Sequence, residues 1–284
     1  MKIVLKIFIV LLLGIFLGCT DEVDSADLIK YEDSLIVIYS VISPQDEILK
    51  VQVSKSTSLT ESELFVSPRE LVLKDAQVVL SDADKNEVSL IFSENSLQYE
   101  AASENLNIVG GKKYFLNVKV GQKEFTAECV VPKSKVKAIK NELTQINSND
   151  GTLEDVVVTT FEDIKDEENF YIIAGEISSL PLNNLLIYKG QRFATDKIGD
   201  KRTIISNGFL SRRTFASYKS ETITVQVANV NELLYRYQFS IYLNEVNIEG
   251  FFYDNAILPT NINGEGGVGV FSALQLAQEN IIIN

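Results

Sequence analysis

The chain has 284 residues, 45% of them hydrophobic and 23% charged, a globular composition with room for one large domain or two of ordinary size. Its formal net charge of -13 disfavours a nucleic-acid backbone binder, which needs cationic surface. With no histidine and no tryptophan, Ser-His-Asp and Cys-His catalysis, His-ligated zinc, imidazole base chemistry and a Trp-lined sugar platform are excluded.

At the N-terminus, Lys2 and Lys6 form a short positive region ahead of an apolar run from Ile7 to Leu17, broken only by Gly14. The run is shorter than a spanning helix of about 20 residues and fits a signal-peptide core. Gly18-Cys19 ends it, and Thr20-Asp21-Glu22 begins a polar tail. A small residue before Cys in this position resembles the lipobox of bacterial lipoproteins, with Phe16 where the usual pattern has Leu. The resemblance implies cleavage before Cys19 and acylation of Cys19. The competing readings are a membrane helix with an incidental Cys, and a signal cut by an ordinary peptidase. Several acyl chains anchor firmly, since each buried methylene contributes about 0.8 kcal/mol. Asp21, Glu22 and Asp24 resemble the acidic export signal of Bacteroidota surface lipoproteins, which implies exposure on the outer membrane surface; the plain alternative is a solvated tether. Asp24-Ser25-Ala26 and Asp33-Ser34-Leu35 match the short pattern of Bacteroidota O-glycosylation, making Ser25 and Ser34 candidate acceptors. The predicted organisation is a signal peptide over 1–18, an acidic tether over 19–27, a β-sandwich over 28–132 and a strand-rich domain over 133–284.

Strands are predicted at Leu35–Val41, Ile48–Val53, Ala76–Leu80, Val88–Phe92, Gly110–Val118 and Lys123–Val131, with turn signals about every ten residues. That rhythm argues for a β-sandwich, and the spacing Gly111-x-x-Tyr114-x-Leu116-x-Val118 looks like the late strands of immunoglobulin-like folds. Ser67-Pro68-Arg69-Glu70 starts a short helix or shapes a loop. Phe125, Ala127, Cys129 and Val131 share one strand face, so Cys129 reads as a core filler rather than a reactive thiol. Cys19 being spent on lipid, no internal disulfide is expected.

Pro132 ends the last of these strands, and Lys133, Lys135, Lys137 and Lys140 read as a solvated linker. The second half is expected to hold strands at 135–145, 153–161, 170–177, 184–188, 203–206 and 221–229, with long surface loops over 189–220. Apolar residues at 233, 235, 237, 239, 241 and 243 alternate as in a strand. Helical spacing also fits through Leu234, Tyr237 and Ile241, with Asn231 as an N-cap.

The most distinctive stretch is Pro259-Thr-Asn261-Ile262-Asn-Gly264-Glu-Gly-Gly267-Val-Gly269-Val-Phe271. Its Gly264-x-Gly266-x-x-Gly269 formally matches a dinucleotide fingerprint, but too few residues follow for a βαβ unit. Together with Tyr235-Arg-Tyr237 and Phe251-Phe252, the stretch resembles a domain-of-unknown-function family of Bacteroidota lipoproteins. Those C-termini look like Pro-x-Asn-Ile-x-Gly-x-Gly-x-Phe; Glu265-Gly266 is an insertion here. The resemblance implies a helix over 231–247. It also implies a neighbour, since the family is found beside SusC-like TonB-dependent outer-membrane transporters, and it carries no catalytic residues. The motif reads either as a plug, with Ile262, Val270 and Phe271 packing against the second domain, or as a partner loop.

Asp82-x-Asp84-x-Asn86 begins like a calcium loop but has Glu87 and Ser93 where an EF-hand needs Gly and Glu. Paired carboxylates could serve glycoside hydrolysis, yet nothing singles out one pair. Tyr188, Tyr218 and Tyr253 could stack on a ligand or sit in a core. The expected molecule is mainly β, an immunoglobulin-like sandwich followed by a strand-rich domain with one helix near the C-terminus. It is expected to act without metal or cofactor, as a lipid-anchored accessory subunit of a TonB-dependent transporter. The rivals are an envelope scaffolding lipoprotein and a carboxylate hydrolase.

Overall fold

The β-branched run after Ser34 becomes β1 (Ile36–Ile42), alternating buried and half-buried residues in the interior of an eleven-stranded sheet. The computed structural model describes residues 34–57, 67–147, 153–177, 192–197, 202–209, 221–247 and 257–283. The first half continues with β2 (Ile48–Lys55), β3 (Gln77–Asp82), β4 (Glu87–Ser93), β5 (Gln98–Ala102), β6 (Lys113–Val120) and β7 (Lys123–Val130). A single helical turn, Pro68–Leu71, precedes β3, its start capped by the Ser67 hydroxyl.

Strands β1-β2-β5-β4 form one layer and β3-β6-β7 the other. β4 pairs Glu87–Leu90 with β3 and Ile91–Ser93 with β5, so it turns the corner between them. This is the strand order of an immunoglobulin-like sandwich. Ile38, Val51, Leu80, Tyr99, Leu116 and Phe125 from both layers share one core. The Tyr114 hydroxyl donates to the Asn107 carbonyl and accepts from the Val109 N–H, both at 2.8 Å. That is the tyrosine corner which the Gly111-x-x-Tyr114 spacing foreshadows.

The second half holds β8 (Ile139–Asn147), β9 (Leu153–Glu162), β10 (Phe170–Ile177), β11 (Phe193–Thr195), β12 (Thr203–Phe209), β13 (Thr222–Val230), helix α1 (Glu232–Asn247) and β14 (Gly267–Ile282). The β12-β9-β8 sheet packs on one face of β10, β13 and β14, burying Val157, Phe161, Ile173 and Val225. Helix α1 covers the other face, over Phe170, Ala228 and Val230. The predicted strand at 184–188 lies outside the described residues.

Helix wins over strand at 232–247 because apolar residues are needed on two sides. Leu234 and Tyr237 are buried, while Tyr235 and Phe239 meet aromatic rings at the side. Asn231 caps it as expected, its Oδ1 accepting from the Leu234 N–H at 2.9 Å.

The C-terminal segment departs from the expected plug in the second domain. Ile262, Phe271 and Ala273 belong to the first core. β14 pairs parallel with β1 from Gly267 to Ala273, then antiparallel with β13 from Leu274 to Ile282. One strand therefore completes both cores, and residues 34–284 make a single compact unit. At the linker, Gln275 donates to the Pro132 carbonyl at 3.1 Å and Asn229 to that of Ser134 at 2.9 Å. Long-range pairing wins here over the local glycine signal.

Candidate functional site

Two regions merit consideration, the glycine-rich motif and a groove beside β11. In the first, Asn261 donates to the Glu128 carbonyl at 2.9 Å and to that of Phe271 at 2.8 Å, while its Oδ1 accepts from the Phe271 N–H at 3.0 Å. Asn263 and Thr126 exchange backbone hydrogen bonds, both 2.8 Å long. The segment thus runs along β7 and crosses to β1, closing the seam between the sandwich's first and last strands. A Cβ on Gly264 would stand 2.7 Å from the Glu124 carbonyl, and its φ of 142° suits glycine. Pro259 is half-buried, and Gly267 packs under the Phe125 ring. The motif's polar groups are thus spent on the fold.

The second region is built from segments far apart in sequence. A groove of about 430 Å³ is lined by Phe193 and Thr195 of β11, Ile204 of β12, Tyr235 of α1, and the charged Asp163, Asp196 and Arg202. Phe193 lies 5.5 Å from Tyr235 and 5.2 Å from Phe239, so β11 and α1 form an aromatic wall. Arg192 stacks over Phe193, 5.6 Å from its centroid, with its buried Nε unpaired. The buried Tyr171 hydroxyl donates to Asp163 Oδ1 at 2.6 Å and accepts from the Ile164 N–H. Burial first, and the Asp163 carboxylate second, push this hydroxyl well above the ordinary phenol range. Asp196 Oδ2 accepts from the Asn169 N–H at 3.0 Å. Asp163 also lines a second cleft, of about 500 Å³, together with Lys135, Lys137, Glu162 and Lys165.

Tyr235 stands in the Tyr-x-Tyr segment quoted from sequence, but Phe193, Asp196 and Arg202 fall in a stretch read as loop. Only their coming together across two sheets makes a groove. Cys19, Asp21, Glu22, Asp24, Ser25, Tyr188, Tyr218 and Tyr253 lie outside the described residues, and Ser34 is exposed. Asp82 accepts from the backbone N–H groups of Asp84 and Asn86, both at 2.9 Å, which makes Asp82–Asn86 a hairpin turn. Cys129 is buried, and burial pushes its thiol far above the ordinary range, as a core position requires.

A family model described as "Domain of unknown function (DUF4249)" matches residues 21–280. No curated protein matches the chain.

Proposed function

The chain belongs to the DUF4249 family, and from that premise we propose that it is a surface lipoprotein serving as an accessory subunit of an outer-membrane TonB-dependent transporter. The observation that carries this is Gly18-Cys19 directly after a signal-like apolar run. A family match that begins at residue 21, just past Cys19, is in keeping with residues 1–18 serving as an address. Cys19 holds the lipid; Asp21, Glu22 and Asp24 direct the protein to the outer leaflet. Its work is binding, by substrate capture, lid or stabilising contact, without catalysis. The groove beside β11 supports a binding role, being concave and lined by aromatic and aliphatic side chains together with charged and hydroxyl groups.

The test is fractionation and capture. Cys19→Ala should release the protein from membranes, and a Cys19→Ala protein that still resists a carbonate wash would refute the anchor. Replacing Asp21, Glu22 and Asp24 with Ala should preserve lipidation but abolish protease accessibility on whole cells. Unchanged accessibility would reduce those acids to a tether. Detergent extraction should bring along a TonB-dependent barrel; an assembly machine in its place would favour the scaffolding role.

A further inference from the structure

We infer that the turn Ser43–Asp46 is a proton-controlled latch, which grips β14 at the junction of the two halves while Asp46 is protonated and lets go once Asp46 ionises. β14 leaves β1 after Ala273, which pairs with Ile42, and continues along β13 from Leu274. β1 ends at Ile42, and the Gln45 side chain takes over its place beside β14. Its Oε1 accepts from the Leu276 N–H at 2.9 Å, and its Nε2 donates to Gln275 Oε1 at 3.2 Å. Gln275 in turn donates to the Pro132 carbonyl, so three segments far apart in sequence meet at one pair of amides.

The turn itself keeps Gln45 in reach. The Ser43 hydroxyl donates to Gln45 Oε1 at 2.8 Å and accepts from the Gln45 N–H at 3.2 Å. Asp46 fixes Ser43: the Ser43 N–H donates to Asp46 Oδ2 at 2.8 Å, and the Ser43 carbonyl accepts from the Asp46 N–H at 3.1 Å. Burial raises the Asp46 carboxyl, outweighing the Ser43 N–H and Lys50, which both favour the charged form. The other charges around the turn are acidic: Glu47 next in the chain, Glu100 of β5, 4.0 Å from Lys50, and Glu104, which follows the Ser103 N–H bonded to the Glu47 carbonyl. β14 meets the turn with the uncharged Gln275 and Leu276. A carboxyl that ionises more readily in water than in the closed turn makes opening more favourable as pH rises. Opening breaks the bonds between Ser43 and Asp46, and with them the hold on Gln45. This inference rests on the junction alone and does not require membrane anchoring.

The test is amide hydrogen exchange of the full chain without its signal, corrected for the intrinsic effect of pH. With the closed carboxyl at about 6 and the open one near the ordinary value of about 4, protection of the Leu276 amide should fall about tenfold between pH 5 and 7. A local opening should also make Leu276 exchange about tenfold or more faster than the core amide of Leu80. Asp46→Asn keeps an acceptor for the Ser43 N–H but cannot ionise, so its Leu276 protection should be the same at both pH values. Gln45→Ala should speed exchange at Leu276 by about tenfold at pH 5, where the latch is closed. The proposal is overturned if wild-type protection at Leu276 does not change with pH, or if Asp46→Asn shows the same fall. It is also overturned if Gln45→Ala leaves that amide protected, or if Leu276 exchanges only as fast as Leu80.

Discussion

Gly269 lies directly against the main-chain carbonyl of Ile38, at the point where β14 runs beside β1. A Cβ there would overlap the Ile38 carbonyl oxygen, and the φ of 112° is one that only glycine adopts without strain. Gly269→Ala should therefore destabilise the fold by about 3 kcal/mol or more, the strain adding to the overlap. Because β14 serves both cores, thermal melting should remain a single transition at lower temperature. A melt within a degree of wild type would mean that the two strands part more easily than their packing indicates.

Phe271 is fully buried in the first core, beside Ile262 and Ala273. Phe271→Ala should cost about 3–5 kcal/mol. The loss should appear first as faster amide exchange in β1 and β2, ahead of β10. Residues 34–131 expressed alone lack Ile262, Phe271 and Ala273, and should show no cooperative melt. A folded isolated sandwich would contradict this dependence.

Asn231 has two tasks, capping α1 through the Leu234 N–H and accepting from the Ser272 hydroxyl at 2.8 Å. Asn231→Ala should cost about 1–2 kcal/mol, and Asn231→Asp should recover most of it, since the one oxygen that accepts both bonds returns. Chemical denaturation of the three proteins measures this. Equal loss in both variants would assign the effect to packing.

Asp46 is partly buried, and burial raises its carboxyl to about 6. The folded state therefore holds a proton that the unfolded chain releases near pH 4. Between about pH 4 and 6 the native state binds more protons, so this group's contribution to stability falls as pH rises, and above 6 its ionisation is a constant cost. Asp46→Asn can keep the acceptor for the Ser43 N–H, 2.8 Å away. It should stabilise the protein by about 1 kcal/mol above pH 6, after discounting for solvent screening, and leave it unchanged below pH 4. Melting temperatures across pH 3–8 decide it; a parallel offset at every pH would trace the gain to something other than ionisation.

The strands readable from sequence are those with one wet face or a dense β-branched run, such as Ile36–Ile42 and Thr222–Val230. β5 gives no strand signal in the sequence, because Gln98-Tyr-Glu-Ala-Ala102 carries one large buried residue, Tyr99. β14 is hidden for a different reason: α1 covers one face and the cores the other, so its apolar residues lose the period of two. Its early glycines suggest a loop, whereas their close contacts with Phe125 and Ile38 belong to strand packing. The groove was illegible because Asp163, Phe193, Ile204 and Tyr235 become neighbours only after two sheets and a helix assemble. The cap at Asn231 is readable because it is local.

Ile36 leaves the ribosome about 230 residues ahead of its partner Gly267. Pairings of such sequence separation bear the full entropy of closing the intervening chain before any contact rewards it. The N-terminal sandwich therefore cannot mature while later residues are still emerging, although its other strands are already made. Maturation is a single late event, slow relative to hairpin formation, triggered by the arrival of β14. Until then the nascent polypeptide exposes both an unfilled slot beside β1 and the apolar faces meant for β14. Ribosome-bound or prematurely terminated chains should be far more vulnerable to proteases and aggregation than their length alone implies.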